Sequence, residues 1–271
     1  MLDLTRTTFI VPIKIEHPDR YRNARNVLGF LNANMRTNVF IYEASHDGNS
    51  RLDFLDDLQN LKIKIWNIVE ESAFHRTKYL NIMLDNVETP VVVNYDIDVI
   101  LDPLNYKECE DIITSGASSV IFPYENGRGQ QMVGNSFDYD GFLNSNYSID
   151  FLNASDSKTI EASECGHCIF FNTKIYKKRG GENENFISYG PEDKERMYRF
   201  QKLEHNVLWR PGKYVYHFEH YRGSDSWISN PHFNHNWDVF NSIKSMNNND
   251  LASYYENQTY LGQYKTIGNK Q

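Results

Sequence analysis

Residues 89–100 read TPVVVNYDIDVI, an apolar, β-branched run that ends in two carboxylates. Side chains two positions apart on an extended segment point the same way, so Asp96 and Asp98 are expected to converge on one point. Two carboxylates at the end of a buried strand are costly unless a positive charge lies between them. Ligands of open α/β sheets bind outside the carboxyl ends of the strands. The stretch therefore predicts a divalent cation that carries a phosphorylated ligand.

Sequence context separates this pair of acids from ordinary turn chemistry. Asp-x-Asp triplets are common in loops, and residues 138–140, which lie among Gly, Asn and Ser, are typical of a turn. Asp96 and Asp98 instead lie between two apolar runs, at 91–93 and 99–101. That pattern indicates a buried strand.

Strand-like and helix-like segments alternate before this stretch. The predicted strands are 8–13, 39–42, 63–68 and the run at 91–93, and the predicted helices are 19–31, 52–58 and 76–84. Strands joined by helices pair in parallel. The order therefore predicts an α/β fold in which helices cover both faces of a parallel sheet.

The pattern becomes mixed after Asp98. Residues 120–123 and 169–171 are strand-like. Between them, residues 124–163 are rich in Asn, Ser, Asp and Gly. Long loops of compact domains are often lids or binding loops, and we expect a long loop or an excursion here.

Composition excludes several classes of protein. The chain is 40% hydrophobic and 14% aromatic, which is too apolar for a disordered segment. Its net charge of −8 argues against a nucleic-acid partner. No window resembles a membrane span, and residues 1–6 lack a signal-peptide pattern. We expect a cytoplasmic protein with at most peripheral association with the inner face of the membrane.

The motif CGHC at 165–168 has the spacing of a disulfide oxidoreductase. It runs into the strand-like residues 169–171, whereas a reactive Cys pair needs a helix N-terminus that lowers the thiol pKa. A lone Cys pair is also short of a structural zinc site. We interpret these cysteines as buried thiols.

A second informative block, residues 186–193, reads FISYGPED. Gly and Pro form a tight turn, which puts Glu192 and Asp193 at the start of a helix. Acids at a helix N-terminus ordinarily complement the helix dipole, and that is the default interpretation. Phe186 and Tyr189 on this turn suit a sugar platform, because an aromatic face packs against the C–H groups of a sugar.

A third block, residues 214–222, reads YVYHFEHYR. His217 and His220 lie three apart beside a strand and could both reach one cation. A single histidine at such a position would be an ordinary polar side chain. Asp98 is the acid that would complete a three-ligand metal site.

Four motifs occur in the order seen in GT-A glycosyltransferases: FHRTKYLN at 74–81, DID at 96–98, GPED at 190–193 and HFEH at 217–220. This order resembles the β-1,4-galactosyltransferase family and the domains of chondroitin-polymerase-type enzymes. The likeness spans residues 12 to about 222. It implies a GT-A-like (Rossmann-like) α/β fold with a mixed, mainly parallel central sheet flanked by helices.

The resemblance implies a domain organisation as well. We expect a single glycosyltransferase domain at 1–240, with a nucleotide-binding half at 1–104 and an acceptor and catalytic half at 105–240. A polar C-terminal extension would follow at 241–271.

Roles for individual residues follow from the same resemblance. Phe74 would pack on the uracil, Arg76 would contact the nucleotide, and Asp96 would lie near the ribose or a metal-bound water. The full set implied for nucleotide binding is Pro12, Lys14, Glu43, Phe74, Arg76 and Asp96.

The metal ligands and the catalytic pair are implied in the same way. Asp98 and His220 would hold the metal, and His217 would be a third ligand where galactosyltransferases carry methionine. Asp193 matches the catalytic base, and Glu192 would bind the acceptor or donor sugar. Carboxylate and imidazole ligands suit Mn²⁺, whereas Mg²⁺ prefers oxygen ligands alone. We expect Mn²⁺, with Mg²⁺ as the alternative.

Departures from the family pattern leave the donor sugar open. Tyr189 replaces the usual tryptophan and Pro191 replaces the second glycine, so the acceptor loop is expected to differ in shape. The position that selects the donor in the family falls near residues 163–165.

The implied function is an inverting, metal-dependent transfer of a hexose or N-acetylhexosamine, with a galactose-type sugar favoured, from a UDP-sugar to a glycan acceptor hydroxyl. The acceptor would be an oligosaccharide, a polysaccharide or a lipid-linked glycan in bacterial surface polysaccharide synthesis. An inverting reaction needs a positioned base for the acceptor hydroxyl.

Three alternatives stay open at the level of the sequence. A retaining transferase would resemble the polypeptide N-acetylgalactosaminyltransferases, which usually have Asn where this chain has Asp193. A sugar-nucleotide pyrophosphorylase would need a glycine- and basic-rich loop, which residues 14–17 do not supply. A non-catalytic nucleotide-sugar-binding domain would not need Asp193 together with both histidines.

Overall fold

The structure is a computed structural model, and it describes residues 1–70, 72–161, 165–204, 206–223 and 226–264. Two of the three positions at which the donor sugar was expected to be selected, residues 163 and 164, lie outside the described residues. Within the described ranges, the strands form a seven-stranded sheet and a four-stranded sheet.

The first part of the chain has the alternating order predicted from its sequence. The elements are β1 (Leu2–Lys14), α1 (Pro18–Asn34), β2 (Met35–Ser45), β3 (Leu61–Val69), α2 (Arg76–Asp85) and β4 (Val91–Tyr95). The helix predicted at 52–58 is wrong, because only a single 3-10 turn, Leu55–Asp57, forms there. The Ser50 hydroxyl and the Arg51 backbone N–H donate hydrogen bonds to Glu43. Only the short segment after Arg51 therefore connects this point to β3.

The large sheet is mixed and mainly parallel, as predicted. It adds β6 (Val120–Phe122), β9 (Cys168–Asn172) and β10 (Val207–Trp209) to the first four strands. The strand order is β10-β6-β9-β4-β1-β2-β3, and only β9 runs antiparallel to its neighbours. All five residues of β4 are buried, which explains the apolar run at residues 91–93.

The small sheet carries the late histidines to the end of β4. It contains β5 (Val99–Leu101), β7 (Gln130–Val133), β8 (Ser157–Ile160) and β11 (Val215–Phe218), in the order β5-β11-β7-β8. Antiparallel pairing of β11 with β5 sets His217 opposite Val99. The backbone N–H of Phe218 also donates to the carbonyl of Asp98 at 2.8 Å.

The segment predicted as a long loop or an excursion is an excursion with its own short elements over its described part, residues 124–161. They contain β7, α4 (Tyr139–Asn144), α5 (Ile149–Asn153) and β8. Their polar residues cap these short helices: Asp138 accepts from the backbone of Gly141, and Ser148 accepts from that of Asp150. The apolar side chains Phe142 and Leu152 are fully buried.

The remaining helices are α3 (Pro103–Ser115), α6 (Thr173–Lys178), α7 (Glu192–Leu203), α8 (Phe233–Ser245) and α9 (Asn248–Glu256). Helices α8 and α9 contact α7. Their apolar side chains form a second hydrophobic cluster, separate from the main core, with Phe186, Phe240, Ile243, Leu251 and Tyr255 at its centre. The polar segment from residue 241 thus includes helical residues packed on α7.

None of the helices in the described ranges has both the length and the apolar sequence of a membrane span.

Leu251→Ala tests whether α9 is part of the cooperative fold. Leu251 is fully buried in the second cluster, so its truncation leaves a cavity. We expect the free energy of unfolding, measured in urea, to fall by about 2–5 kcal/mol. Glu256→Ala, an exposed change on the same helix, should stay within about 0.5 kcal/mol. Equal, small effects of both changes would mean that α9 does not contribute to the folded core.

Candidate functional site

A cavity of about 430 Å³ opens where β1 and β4 end. Most of the candidate site residues predicted from the sequence line this cavity, although they lie far apart along the chain. These are Pro12, Lys14, Phe74, Arg76, Asp96, Asp98, Glu192, Asp193, His217 and His220.

Glu43 is not brought to this cavity. Its side chain is buried, and its two oxygens accept hydrogen bonds from the Ser50 hydroxyl at 2.6 Å and the Arg51 backbone at 2.8 Å. Both oxygens therefore hold the loop that follows β2. Contact between Glu43 and a nucleotide base stays a prediction.

Asp98 lies between two imidazoles. Its Oδ1 is 3.5 Å from His217 Nε2, and its Oδ2 is 3.0 Å from His220 Nε2. One ligand atom from each of the three side chains lies within 4.8 Å of the other two. The pairing of β11 with β5 produces this convergence, although more than a hundred residues separate the acid from the histidines.

Hydrogen bonds on the far side of each ring orient its Nε2. His220 Nδ1 lies 2.8 Å from the carbonyl oxygen of Tyr221, so Nδ1 carries a proton and Nε2 faces Asp98. His217 Nδ1 lies 3.1 Å from the side-chain amide of Gln130. The amide can present its oxygen to a protonated Nδ1 by turning over, which would leave Nε2 as the ligand atom.

The charge of this group fits a divalent cation. Burial acts to raise the pKa of Asp98, but His217 and His220 outweigh it and hold that pKa well below its usual value. Asp98 is thus an anion that needs positive charge around it, and the Arg20 guanidinium is also only 3.9 Å from Oδ2. One carboxylate and two imidazoles form a donor set that suits Mn²⁺ better than Mg²⁺.

Asp96 and Asp98 both line the cavity, but among the described residues Asp96 is not part of the Asp98/His217/His220 group. The segment between β4 and β5 is a turn rather than an extended strand. Asp96 instead pairs with Arg76, whose Nη2 lies 2.5 Å from Oδ1. The second terminal nitrogen of Arg76 lies 3.3 Å from Asp193 Oδ1. Arg76 therefore connects the turn after β4 to the start of α7.

Asp193 is an ionised carboxylate held by two guanidiniums. Arg196 donates to its Oδ1 at 2.6 Å, and Arg196 also pairs with the buried Glu182 at 2.6 Å. Burial works to raise the pKa of Asp193, but Arg196 and Arg76 bring it down to about 2. The side chain is still 30% exposed, toward the cavity.

Glu192, the neighbouring residue, is in the opposite protonation state. Its side chain is buried, and Oε2 has no hydrogen-bond partner among the described residues. Burial and the charge of Asp193 raise the pKa of Glu192 to about 8, so it keeps its proton at neutral pH. Two adjacent acids with separated pKa values are typical of a site in which one accepts a proton and the other donates a hydrogen bond.

Comparison with solved structures identifies the fold. TarS residues 1–349 from S. aureus, in complex with UDP-GlcNAc, matches with a TM-score of 0.57 and 12% identity, over 92% of this chain and 71% of that one. GalNAc-T7 with UDP, GalNAc and Mn²⁺ matches with a TM-score of 0.57 and 11% identity, over 88% of this chain and 47% of that one. This chain has the GT-A glycosyltransferase fold.

Two other TarS structures give the extent of the match. This chain covers 60% of the TarS 1–349 chain in one of them and 36% of the longer TarS chain in the other. No protein-family model matches the sequence, and a search of curated proteins found no match either.

The predicted sugar platform exists only in part. Phe186 is buried in the second hydrophobic cluster, so its assignment to the platform was wrong. Tyr189 does line the GT-A cavity, and its ring stacks on Phe233 with centroids 6.1 Å apart. An aromatic residue on a turn can face either way, and the sequence does not specify which.

Several cavity residues were missed from the sequence. Arg20, Gln130 and Trp227 line the GT-A cavity but belong to none of the quoted motifs. His167 lies within CGHC, which was set aside as a whole because it runs into a strand and is short of a zinc site. Cys165 and Cys168 are indeed buried. The histidine between them is a separate feature.

Glu192→Gln tests the raised pKa of Glu192. Between the ordinary value of 4.5 and about 8, the unfolded chain loses a proton that the folded chain keeps, so stability falls as pH rises through this window. Gln has no such proton. We therefore expect urea unfolding from about pH 5 to about pH 8 to show a smaller loss of stability in the variant than in the wild type.

Glu256→Gln, which removes an exposed carboxylate, is the matched control and should follow the wild-type curve. Parallel curves for the wild type and Glu192→Gln would contradict the assignment of a protonated Glu192.

Proposed function

We propose that this chain is an inverting, metal-dependent glycosyltransferase that moves a hexose or N-acetylhexosamine from a UDP-sugar to a glycan hydroxyl. The observation that carries the proposal is one cavity that holds both the Asp98/His217/His220 group and the ionised Asp193. Sugar transfer from a nucleotide needs both functions, charge compensation at the leaving group and a base at the acceptor.

UDP-sugar as the donor is supported by the residues around the ends of β1 and β4. Phe74 offers an aromatic surface for a base, and Lys14, Arg20 and Arg222 are cationic side chains in the same lining. Such cations suit a diphosphate. The TarS and GalNAc-T7 structures that share the fold were determined with UDP-GlcNAc and with UDP, respectively.

Asp98, His217 and His220 would hold the cation, with Mn²⁺ favoured by the donor set. When bound, a divalent metal supplies Lewis-acid neutralisation of the charge that develops on the leaving diphosphate. Gln130 and the Tyr221 carbonyl would keep the two imidazoles oriented, as hydrogen-bond partners of metal-bound histidines do.

Asp193 would act as the base through Oδ2. Arg76 and Arg196 both bind Oδ1, whereas Oδ2 takes no hydrogen bond from the described residues. An acceptor hydroxyl has a pKa far above 7, so its proton moves late, as the bond to the sugar forms. A base with a low pKa can still accept it, provided it is ionised and within hydrogen-bond reach.

Glu192 would bind a sugar hydroxyl rather than share the role of base. Its proton makes it a hydrogen-bond donor, while Asp193 beside it can only accept. The acceptor class is a glycan, because Tyr189 and Trp227 add aromatic surface to the same cavity. An oligosaccharide, polysaccharide or lipid-linked glycan of bacterial surface polysaccharide synthesis fits this description, with a galactose-type donor sugar.

The proposal is tested by hydrolysis of UDP-galactose, UDP-N-acetylgalactosamine, UDP-glucose and UDP-N-acetylglucosamine, with and without Mn²⁺. We expect Mn²⁺-dependent release of UDP from at least one donor and, with a glycan acceptor, a β-linked product by NMR. An α-linked product would favour a retaining transferase. Release without metal would contradict the cation site.

Asp193→Asn tests the base. The substitution keeps the shape of the side chain but removes its capacity to take a proton, so we expect transfer to fall by about 10²–10⁴-fold. UDP affinity, measured by calorimetry, should stay within about twofold of wild type, because only the carboxylate charge of this residue changes. Asp150→Asn, an exposed acid in the first turn of α5, is the control. Unchanged transfer by Asp193→Asn would refute this role.

His220→Ala tests the cation site independently of turnover. Loss of one of three protein ligands should weaken Mn²⁺ binding by at least about tenfold. Binding is measured from the EPR signal of free Mn²⁺. His235→Ala, an exposed histidine on α8, should leave Mn²⁺ affinity at the wild-type value. Equal Mn²⁺ affinity of all three proteins would exclude His220 as a ligand.

A further inference from the structure

His167 is a cavity residue to which the proposed reaction assigns no role. Its ring lines the cavity, yet the buried Nε2 has no hydrogen-bond partner among the described residues. A buried polar atom without a partner is rare in folded proteins, because its desolvation is not compensated. Such an atom in a binding cavity points to a partner on the ligand.

The backbone at His167 is held in an uncommon conformation. The φ angle is +66°, a left-handed conformation that non-glycine residues seldom adopt. Two hydrogen bonds hold this turn: the carbonyl of His167 accepts from Asp96 N at 2.8 Å, and the carbonyl of Gly166 accepts from the Tyr124 hydroxyl at 2.6 Å. Strain maintained by surrounding contacts is characteristic of functional positions.

Residues 166 and 167 lie between the Asp98/His217/His220 group and Asp193. The His167 ring centroid lies 5.1 Å from that of His217. On the other side, a Cβ added at Gly166 would lie 2.5 Å from Asp193 Oδ2. His167 is therefore next to the metal-ligand group, and its preceding residue touches the base.

We propose that His167 hydrogen-bonds the transferred sugar through Nε2 and helps to determine which donor is used. This inference rests on the proposed function. The diphosphate would lie at the Asp98/His217/His220 group and the acceptor hydroxyl at Asp193, so the sugar that moves between them must occupy the space beside His167. A neutral imidazole can donate to or accept from a sugar hydroxyl or an N-acetyl group.

His167→Gly and His167→Asn are the variants of choice, because Gly and Asn both tolerate the positive φ at this position. Affinity is measured by calorimetry for Mn²⁺ alone, for UDP with Mn²⁺, and for the UDP-sugar that the wild type hydrolyses fastest. We expect His167→Gly to raise the Kd for the UDP-sugar about tenfold, the effect of one lost hydrogen bond. UDP and Mn²⁺ should bind as in the wild type.

His167→Asn retains a polar group on a shorter side chain, so its Kd for the UDP-sugar should lie between those of the wild type and His167→Gly. Asn146→Gly is the matched control for the backbone, since Asn146 also has a positive φ, of 55°, and is exposed outside the cavity. Thermal melting of all variants reports folding.

The other outcomes overturn the inference in identifiable ways. An equal rise in Kd for UDP and for the UDP-sugar would assign His167 to the diphosphate, and weaker Mn²⁺ binding would make it a metal ligand. Unchanged affinities would give it no role in binding. If the wild type binds neither UDP nor any of the UDP-sugars, the proposed function fails, and this inference fails with it. If the wild type binds them, only the inference is at risk.

Discussion

The positions of Asp193, Arg76 and Asp96 depend on the ion pair that buried Arg196 makes with Glu182. Glu182 is anchored to the central sheet, because it also accepts from Asn94 of β4 at 3.1 Å. Arg196 then holds Asp193, and Asp193 is joined through Arg76 to Asp96 in the turn after β4. Charges buried in this way are tolerated only when every member has a partner, so the arrangement fixes α7 and α2 against the end of β4.

This arrangement divides the acids of the cavity into two groups with different chemistry. Asp98 has imidazoles on both sides and stays anionic where a cation can bind. Asp193 has guanidiniums and stays anionic, whereas Glu192, which lacks such a partner, keeps its proton. Two adjacent carboxyl groups on one helix thus differ in protonation because their surroundings differ.

Much of this arrangement was predictable from the sequence, for physical reasons. A buried strand has an apolar sequence, and residues 91–93 indicated one. Four short motifs in a fixed order predicted which side chains would share the cavity. Other features depend on three-dimensional context. Asp96 and Asp98 take different partners, because β4 ends at Tyr95 and the chain turns there. Phe186 turns inward to a cluster formed by α8 and α9. The turn-rich segment 124–161 contains short helices capped by its own Asp and Ser residues. His167 reaches the cavity because β9 begins, antiparallel, beside the end of β4.

A cation at Asp98, His217 and His220 beside a nucleotide at the end of β4 is tested most directly by anomalous diffraction at the manganese edge, from crystals grown with Mn²⁺ and UDP. We expect one strong anomalous peak bonded to a carboxylate oxygen of Asp98 and to Nε2 of both histidines, with the diphosphate of UDP in contact with it. A peak bound elsewhere, or UDP bound in the cavity with no metal at these three side chains, would contradict this assignment.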